Sequence, residues 1–164
     1  MKASLLLLFA LLSLTQLAAA DQSLVYPEKD SLISFSVPDN WKAEFKDESL
    51  FVTPPGDESV IIEVMEMEAG VDDAEGAIKE AKATMDDFKN MKYDEIQKGE
   101  TNGLGIMILN AQGEDADGKA NINLVLLSKP GLKNFILLSC ISSQVGSEKH
   151  GAAIGSLLGS LKAR

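Results

Sequence analysis

The chain has 164 residues, 25 acidic against 15 basic, with one histidine, one cysteine and a net charge of −10. That balance excludes a nucleic-acid binder, whose phosphate contacts call for clustered Lys and Arg, and a protein held on anionic lipid. A single cysteine excludes an intramolecular disulfide, and one cysteine with one histidine cannot build a structural zinc site.

The first element predicted is a targeting signal. Lys2 precedes an apolar run from Leu5 to Leu14, broken only by Ser13, and Ala18-Ala19-Ala20 follow. This is the pattern of a cleaved export signal over residues 1–20, cut between Ala20 and Asp21. The run is short of the roughly 20 residues that a membrane span needs, and no cysteine follows the alanines to carry a lipid. Residues 1–20 hold one lysine and no acid, so the cut takes the net charge from −10 to −11. Residues 21–164 are then expected to form one soluble exported domain, long enough to bury a core without disulfides. An uncleaved signal anchor is the alternative. Export without disulfides suits a bacterial periplasm or cell surface.

Ser31 to Val37 alternates apolar and polar and predicts a half-buried strand. Pro38 ends it, Asp39-Asn40 turn the chain, and Trp41, the one tryptophan, follows. Its ring is expected as a core anchor over the sheet edge, with a ligand or partner contact as the second reading. Trp41 to Phe45, Ser49 to Thr53 and Ser59 to Glu68 are further strands, the last two separated by the turn Pro54-Pro55-Gly56-Asp57. Val71, Ala74, Ile78, Ala81, Met85 and Phe88 step by three and four, predicting one long helix capped by Asp72 and Asp73. Tyr93 to Gln97, Leu104 to Gln112, Ala120 to Ser128 and Asn134 to Ser143 follow as strands. The last two are apolar on both faces, as central strands covered on both sides should be. Short links make the pairing antiparallel. A final helix is expected from Ser147 to Lys162, with Ser147 as its cap. This order predicts an α+β fold, a central antiparallel β-sheet flanked by helices on both faces.

Chemistry is scarce. His150 lacks the Gly-x-Ser-x-Gly context of a hydrolase elbow and is expected as a surface or helix-end residue. Cys140 lies inside an apolar strand and is expected to be a packed thiol rather than a nucleophile. The loop Gly113 to Gly118 has two of the early acids of a calcium loop but not the third, nor a glutamate at position 12. It is expected to be a solvated hairpin tip, and Asp72, Asp73 and Glu75 a helix start rather than a ligand set. Met65, Met67, Met85, Met91 and Met107 are assigned to packing. No catalytic, cofactor or metal residue is assigned. In the last helix Gly151, Gly155 and Gly159 recur every four residues, each costing roughly 1 kcal/mol relative to alanine. Close packing of that helix would offset the cost; the other reading is a smooth surface for a partner or a second copy.

The segment FSVPDNW resembles the F-x-x-P-x-x-W start of the PsbP, Mog and DcrB-like group, and the order of elements through SLLGSLK is similar over nearly all of residues 21–164. The resemblance implies an antiparallel sheet between helices. It implies no shared catalytic residue and no cofactor. It points to a small non-enzymatic envelope protein that binds a protein partner, acting as a binding or chaperone-like module. An immunity protein that neutralises a secreted toxin, and a hydrolase with an unrecognised site, are the competing classes.

Overall fold

A computed structural model describes residues 21–164. Residues 1–20, with the predicted signal and Ala20 of its cleavage site, lie outside the described residues. In chain order the elements are β1 (Asp21–Tyr26), β2 (Ile33–Pro38), β3 (Lys42–Lys46), β4 (Ser49–Thr53), β5 (Val60–Gly70), α1 (Ala74–Ala83), β6 (Lys89–Tyr93), β7 (Gln97–Thr101), β8 (Leu104–Glu114), β9 (Lys119–Ser128), β10 (Asn134–Ser143), α2 (Gln144–Ser160) and β11 (Lys162–Ala163). Eight strands form one sheet in the order β3-β4-β5-β10-β9-β8-β6, with β7 also paired to β8. A second sheet has the order β1-β2-β11. Every pairing is antiparallel.

The central strands are apolar on both faces because both are covered. Ile136, Leu138 and Cys140 of β10 and Val125 and Leu127 of β9 face Ile33, Phe35, Val37, Trp41, Ile154, Leu157 and Leu161. On the opposite face Phe135, Leu137, Ile122, Leu124 and Leu126 pack with Ala77, Ala81 and Met85 below α1. All five methionines of the described residues lie in or against this second cluster, which bears out their assignment to packing. Fully burying one such aliphatic or aromatic side chain contributes about 1.5–3 kcal/mol, so the two clusters hold the sheet from both sides.

The protein is richer in sheet than a helix-flanked sandwich. One face of the large sheet is covered by the three-stranded sheet together with α2, and only the other by a helix alone. Two strands escape the sequence pattern: β1, whose DQSLVY alternates weakly, and β11, which is two residues long. β1 pairs along the whole of β2, from Asp21 opposite Pro38 to Tyr26 opposite Ile33.

Three predicted boundaries move for local reasons. Helix α1 stops at Ala83, after which Met85, Asp86 and Phe88 donate their N–H groups to the carbonyls of Lys82, Ala83 and Met85 in tighter i→i+3 turns. Asp86 and Asp87 sit at the negative end of the helix dipole and disfavour its continuation. The single strand expected at Tyr93 to Gln97 is two strands, β6 and β7, both laid against β8 with a break between them. Helix α2 starts three residues before Ser147, because Ser143 is the cap: its hydroxyl accepts from the Gly146 N–H at 3.0 Å. Gly146 lies directly on Ser59, where a Cβ would come within 2.2 Å of the Ser59 carbonyl oxygen.

Turns and seams complete the frame. Asn102 and Gly103 both have positive φ and form the two-residue hairpin between β7 and β8. Asp47 and Glu48 do the same between β3 and β4 without a glycine, at φ 49° and 68°. The Tyr26 hydroxyl steadies that turn: it donates to the Glu48 carbonyl at 3.0 Å and accepts from the Glu66 N–H at 2.9 Å. One buried phenol thus joins the end of β1, the β3–β4 turn and β5.

Candidate functional site

The face of the large sheet beneath α2 changes composition half-way along β8, β9 and β10. The cross-strand rows Ile106–Leu127–Ile136 and Ile108–Val125–Leu138 are apolar. The next two rows are Asn110–Asn123–Cys140 and Gln112–Asn121–Ser142. The second sheet and α2 cover the apolar rows, while the amide rows on β8 and β9 are left partly open. They form the floor of a groove with β6 on one side and the first turns of α2 on the other. Two adjoining cavities of about 850 and 550 Å³ make it up and share Lys92, Gln112 and Asn121. Gln144 and Ser147 of α2 and Asn90 and Asp94 at the β6 side complete its walls.

The carboxamides are held in register by one another. Asn123 Nδ2 donates to Asn110 Oδ1 at 2.9 Å, and Gln112 Nε2 to Asn121 Oδ1 at 3.4 Å. Asn121 Nδ2 donates to Ser147 Oγ at 2.9 Å, and Ser147 Oγ lies 2.7 Å from Ser142 Oγ. Ser147, expected as a helix cap, therefore ties α2 to the groove floor. Sequence reasoning passed over these amides. Asparagine is depleted in strands, and N-x-Q in β8 with N-x-N in β9 places four amides on faces that are otherwise apolar, which is the signal that was available.

A second cluster pins α2 from its other side. Trp41 is 6% exposed and sits in the core, as the core-anchor reading expects. The His150 ring meets it edge-on, at 5.5 Å between centroids and 89° between planes. His150 Nε2 lies 3.0 Å from Asp57 Oδ2, and Lys149 Nζ lies 2.6 Å from the same oxygen. The Ser59 N–H donates to Asp57 Oδ1 at 3.0 Å. Lys149, then Ser59 and His150, hold the Asp57 carboxyl well below the usual carboxylate range. His150 is thus half-buried in a structural clasp between the β4–β5 turn and α2. Among the described residues the hydrogen-bond partner of its ring is a carboxylate.

The remaining candidates fall away from one another. Cys140 is buried in β10, and burial pushes its thiol up to about 12, far from a reactive range. Asp115 Oδ1 accepts from the N–H groups of Asp117 and Gly118 at 2.8 and 3.0 Å, so this acid closes its own hairpin tip. Asp73 Oδ1 accepts from the Gly76 N–H at 2.8 Å and caps α1. Among the described residues no group of three His, Cys, Asp or Glu side chains is placed to hold a metal ion, and no helix is long and apolar enough to cross a membrane.

Gly151, Gly155 and Gly159 lie exposed on the outer side of α2, with nothing within 4 Å of a Cβ built on any of them. The close-packing reading of these glycines is therefore overturned: Ile154 and Leu157, on the other side of the helix, make the contact with the core. Trp41 is not part of that bare face, because its ring is buried beneath His150.

No known family profile matches the chain, and no curated protein matches it. Solved structures do. The solution structure of cyanobacterial PsbP (CyanoP) from Synechocystis sp. PCC 6803 superposes with a TM-score of 0.66 at 10% identity, over 89% of this chain and 94% of that one. The chain has a PsbP/Mog-like fold. LpqN, involved in cell envelope biogenesis of Mycobacterium tuberculosis, superposes at 0.59 and 11% identity, over 88% and 90% of the two chains. The Saccharomyces cerevisiae Ran-binding protein Mog1p superposes at 0.53 and 8% identity, over 88% and 95%. At such identities the PsbP/Mog-like likeness concerns the fold, and sites must be argued from this chain's own residues.

Proposed function

We propose that this protein is an exported, non-enzymatic binding module of the bacterial envelope, and that it takes its partner in the amide-floored groove between β6, β8, β9 and α2. One observation carries the reading. Four carboxamides occupy adjacent cross-strand positions at the margin of a largely apolar sheet face, with Gln112 exposed and Asn110, Asn121 and Asn123 partly exposed. Carboxamides bind through hydrogen bonds and do not titrate, so the groove is suited to recognition rather than to acid–base or nucleophilic chemistry. The histidine and the cysteine are both engaged elsewhere, in the clasp and in the core.

In the same reading residues 1–20 direct export and are removed before Asp21, leaving 21–164 as one domain. N-terminal sequencing of the protein recovered from the envelope tests this, with Asp21 as the expected first residue. The groove is tested by affinity capture from envelope extract at low salt, which keeps contacts to an acidic surface from being screened. The paired variant Asn110→Ala/Asn123→Ala should lose the captured partner. Gly155→Leu, on the bare outer side of α2, should keep it. The reverse result moves the docking surface to the face of Gly151, Gly155 and Gly159.

A further inference from the structure

We propose that the groove holds an extended polypeptide segment by its main chain, largely independent of the segment's side chains. This rests on the groove reading above and names its ligand. The spacing of the amides is the first ground. Asn110 and Gln112 are two residues apart on β8, Asn121 and Asn123 two apart on β9, and the register sets Asn110 opposite Asn123 and Gln112 opposite Asn121. Two strand residues span roughly 6.8 Å, the repeat at which an extended peptide again turns the same edge of its backbone to one side. A row of carboxamides at that interval meets the ligand's backbone groups in step.

The second ground is chemical matching. A carboxamide carries a carbonyl acceptor beside an N–H donor, the same pair that a peptide group presents. After the contacts within the groove, both Asn110 Nδ2 hydrogens and the Asn123 carbonyl oxygen have no partner among the described residues. Charge is the third. In a chain of net −10 the groove alternates Lys92 and Lys119 with Asp94 and Glu114. A phosphate-bearing or polyanionic ligand would meet the two acids, whereas an uncharged main chain meets a balanced field. Among the described residues no aromatic ring lines either cavity, so a nucleobase has no platform there on which to stack. From Asn110 to Glu114 the floor runs roughly 14 Å, enough for about four extended residues.

The test uses isotope-labelled protein and follows the side-chain amide signals of Asn110, Gln112, Asn121 and Asn123 by NMR. Two probes are unstructured ten-residue peptides of unrelated neutral sequence, one rich in Ser and Thr and one in Ala and Val. A third is the first peptide N-methylated at every second residue, and a fourth is a chitin hexasaccharide. Both plain peptides should move the four amide signals at similar concentrations, and N-methylation should weaken binding by about tenfold or more, as expected for lost backbone hydrogen bonds. Gln112→Ala, a change at an exposed position, should weaken both plain peptides alike without altering thermal stability. If the hexasaccharide moves these signals and the peptides do not, the groove binds but the polypeptide assignment is wrong. If no probe moves them while the captured partner still depends on Asn110 and Asn123, the main-chain reading fails and the groove reading survives. If the partner is also indifferent to those residues, both fail.

Discussion

The covered and open halves of one sheet face are built by the same strands, yet they obey opposite rules. Around Ile108, Val125 and Leu138 the side chains are apolar and α2 with the second sheet lies over them. Two and four residues further along β8, Asn110 and Gln112 take the same orientation and are left partly open. Where the cover is complete, hydrophobic burial decides residue type. Where it stops, hydrogen-bonding capacity does. The amides tolerate the margin of the core because they bond in part to each other and to Ser147, and the amide groups left without a protein partner are open to solvent.

The contrast is tested most strongly in the covered half. Leu138 is fully buried, and Leu138→Ala should lower stability by about 2–5 kcal/mol, read by urea denaturation. A loss under about 1 kcal/mol, below the range for such truncations, would mean that the cover is looser than its packing indicates. In the open half Asn123→Ala removes the donor to Asn110 and should cost only about 0.5–1.5 kcal/mol, while abolishing capture of the partner. On the outer side of the cover, Gly155→Ala meets open space and should raise stability by about 0.8–1.0 kcal/mol. If the melting temperature falls instead, that face of α2 is in contact with something in solution. The smallest effect concerns the clasp that sets where the cover ends. The Asp57 carboxyl has a depressed pKa in the folded state, so its contribution is present above the ordinary carboxylate range of about 4 and is lost as pH falls below it. Asp57→Asn should therefore be less stable than the parent at pH 7, and the two should converge in acid. A stability difference that stays constant with pH would remove ionisation as the cause.

Much of this was legible in the residues. The doubly apolar patterns of β9 and β10 gave both faces of the core, and β4 and β10 fall at their predicted boundaries, Ser49–Thr53 and Asn134–Ser143. FSVPDNW pointed to the fold through the placing of Trp41, which does anchor the core. The second sheet was illegible because β1 is held by its pairing to β2 rather than by strong alternation, and β11 is too short to show a period. The site was harder to read. An asparagine in a strand is unusual but does not by itself mark a site; its meaning comes from cross-strand register, which here joins Asn110 and Asn123 across thirteen positions. The clasp is likewise a long-range product, bringing together Asp57 and His150 across 93 positions. The glycines of α2 illustrate the reverse case. Their spacing was plain, but only the fold shows which way they face.

The Tyr26 hydroxyl gives the molecule an alkaline limit and an optical gauge of it. There are two tyrosines in the chain, and burial raises the pKa of both Tyr26 and Tyr93 above the ordinary phenol value of 10.0. A group that holds its proton more tightly when folded contributes fully below its unfolded pKa and loses that contribution as pH rises through the folded value. Deprotonating Tyr26 would remove the donor to Glu48 and leave the glycine-free turn at Asp47 and Glu48 unsupported. In a Tyr93→Phe variant, where Tyr26 is the one phenol left, the ultraviolet absorbance of tyrosinate therefore reports the pH at which this link between the small sheet and the large one is lost.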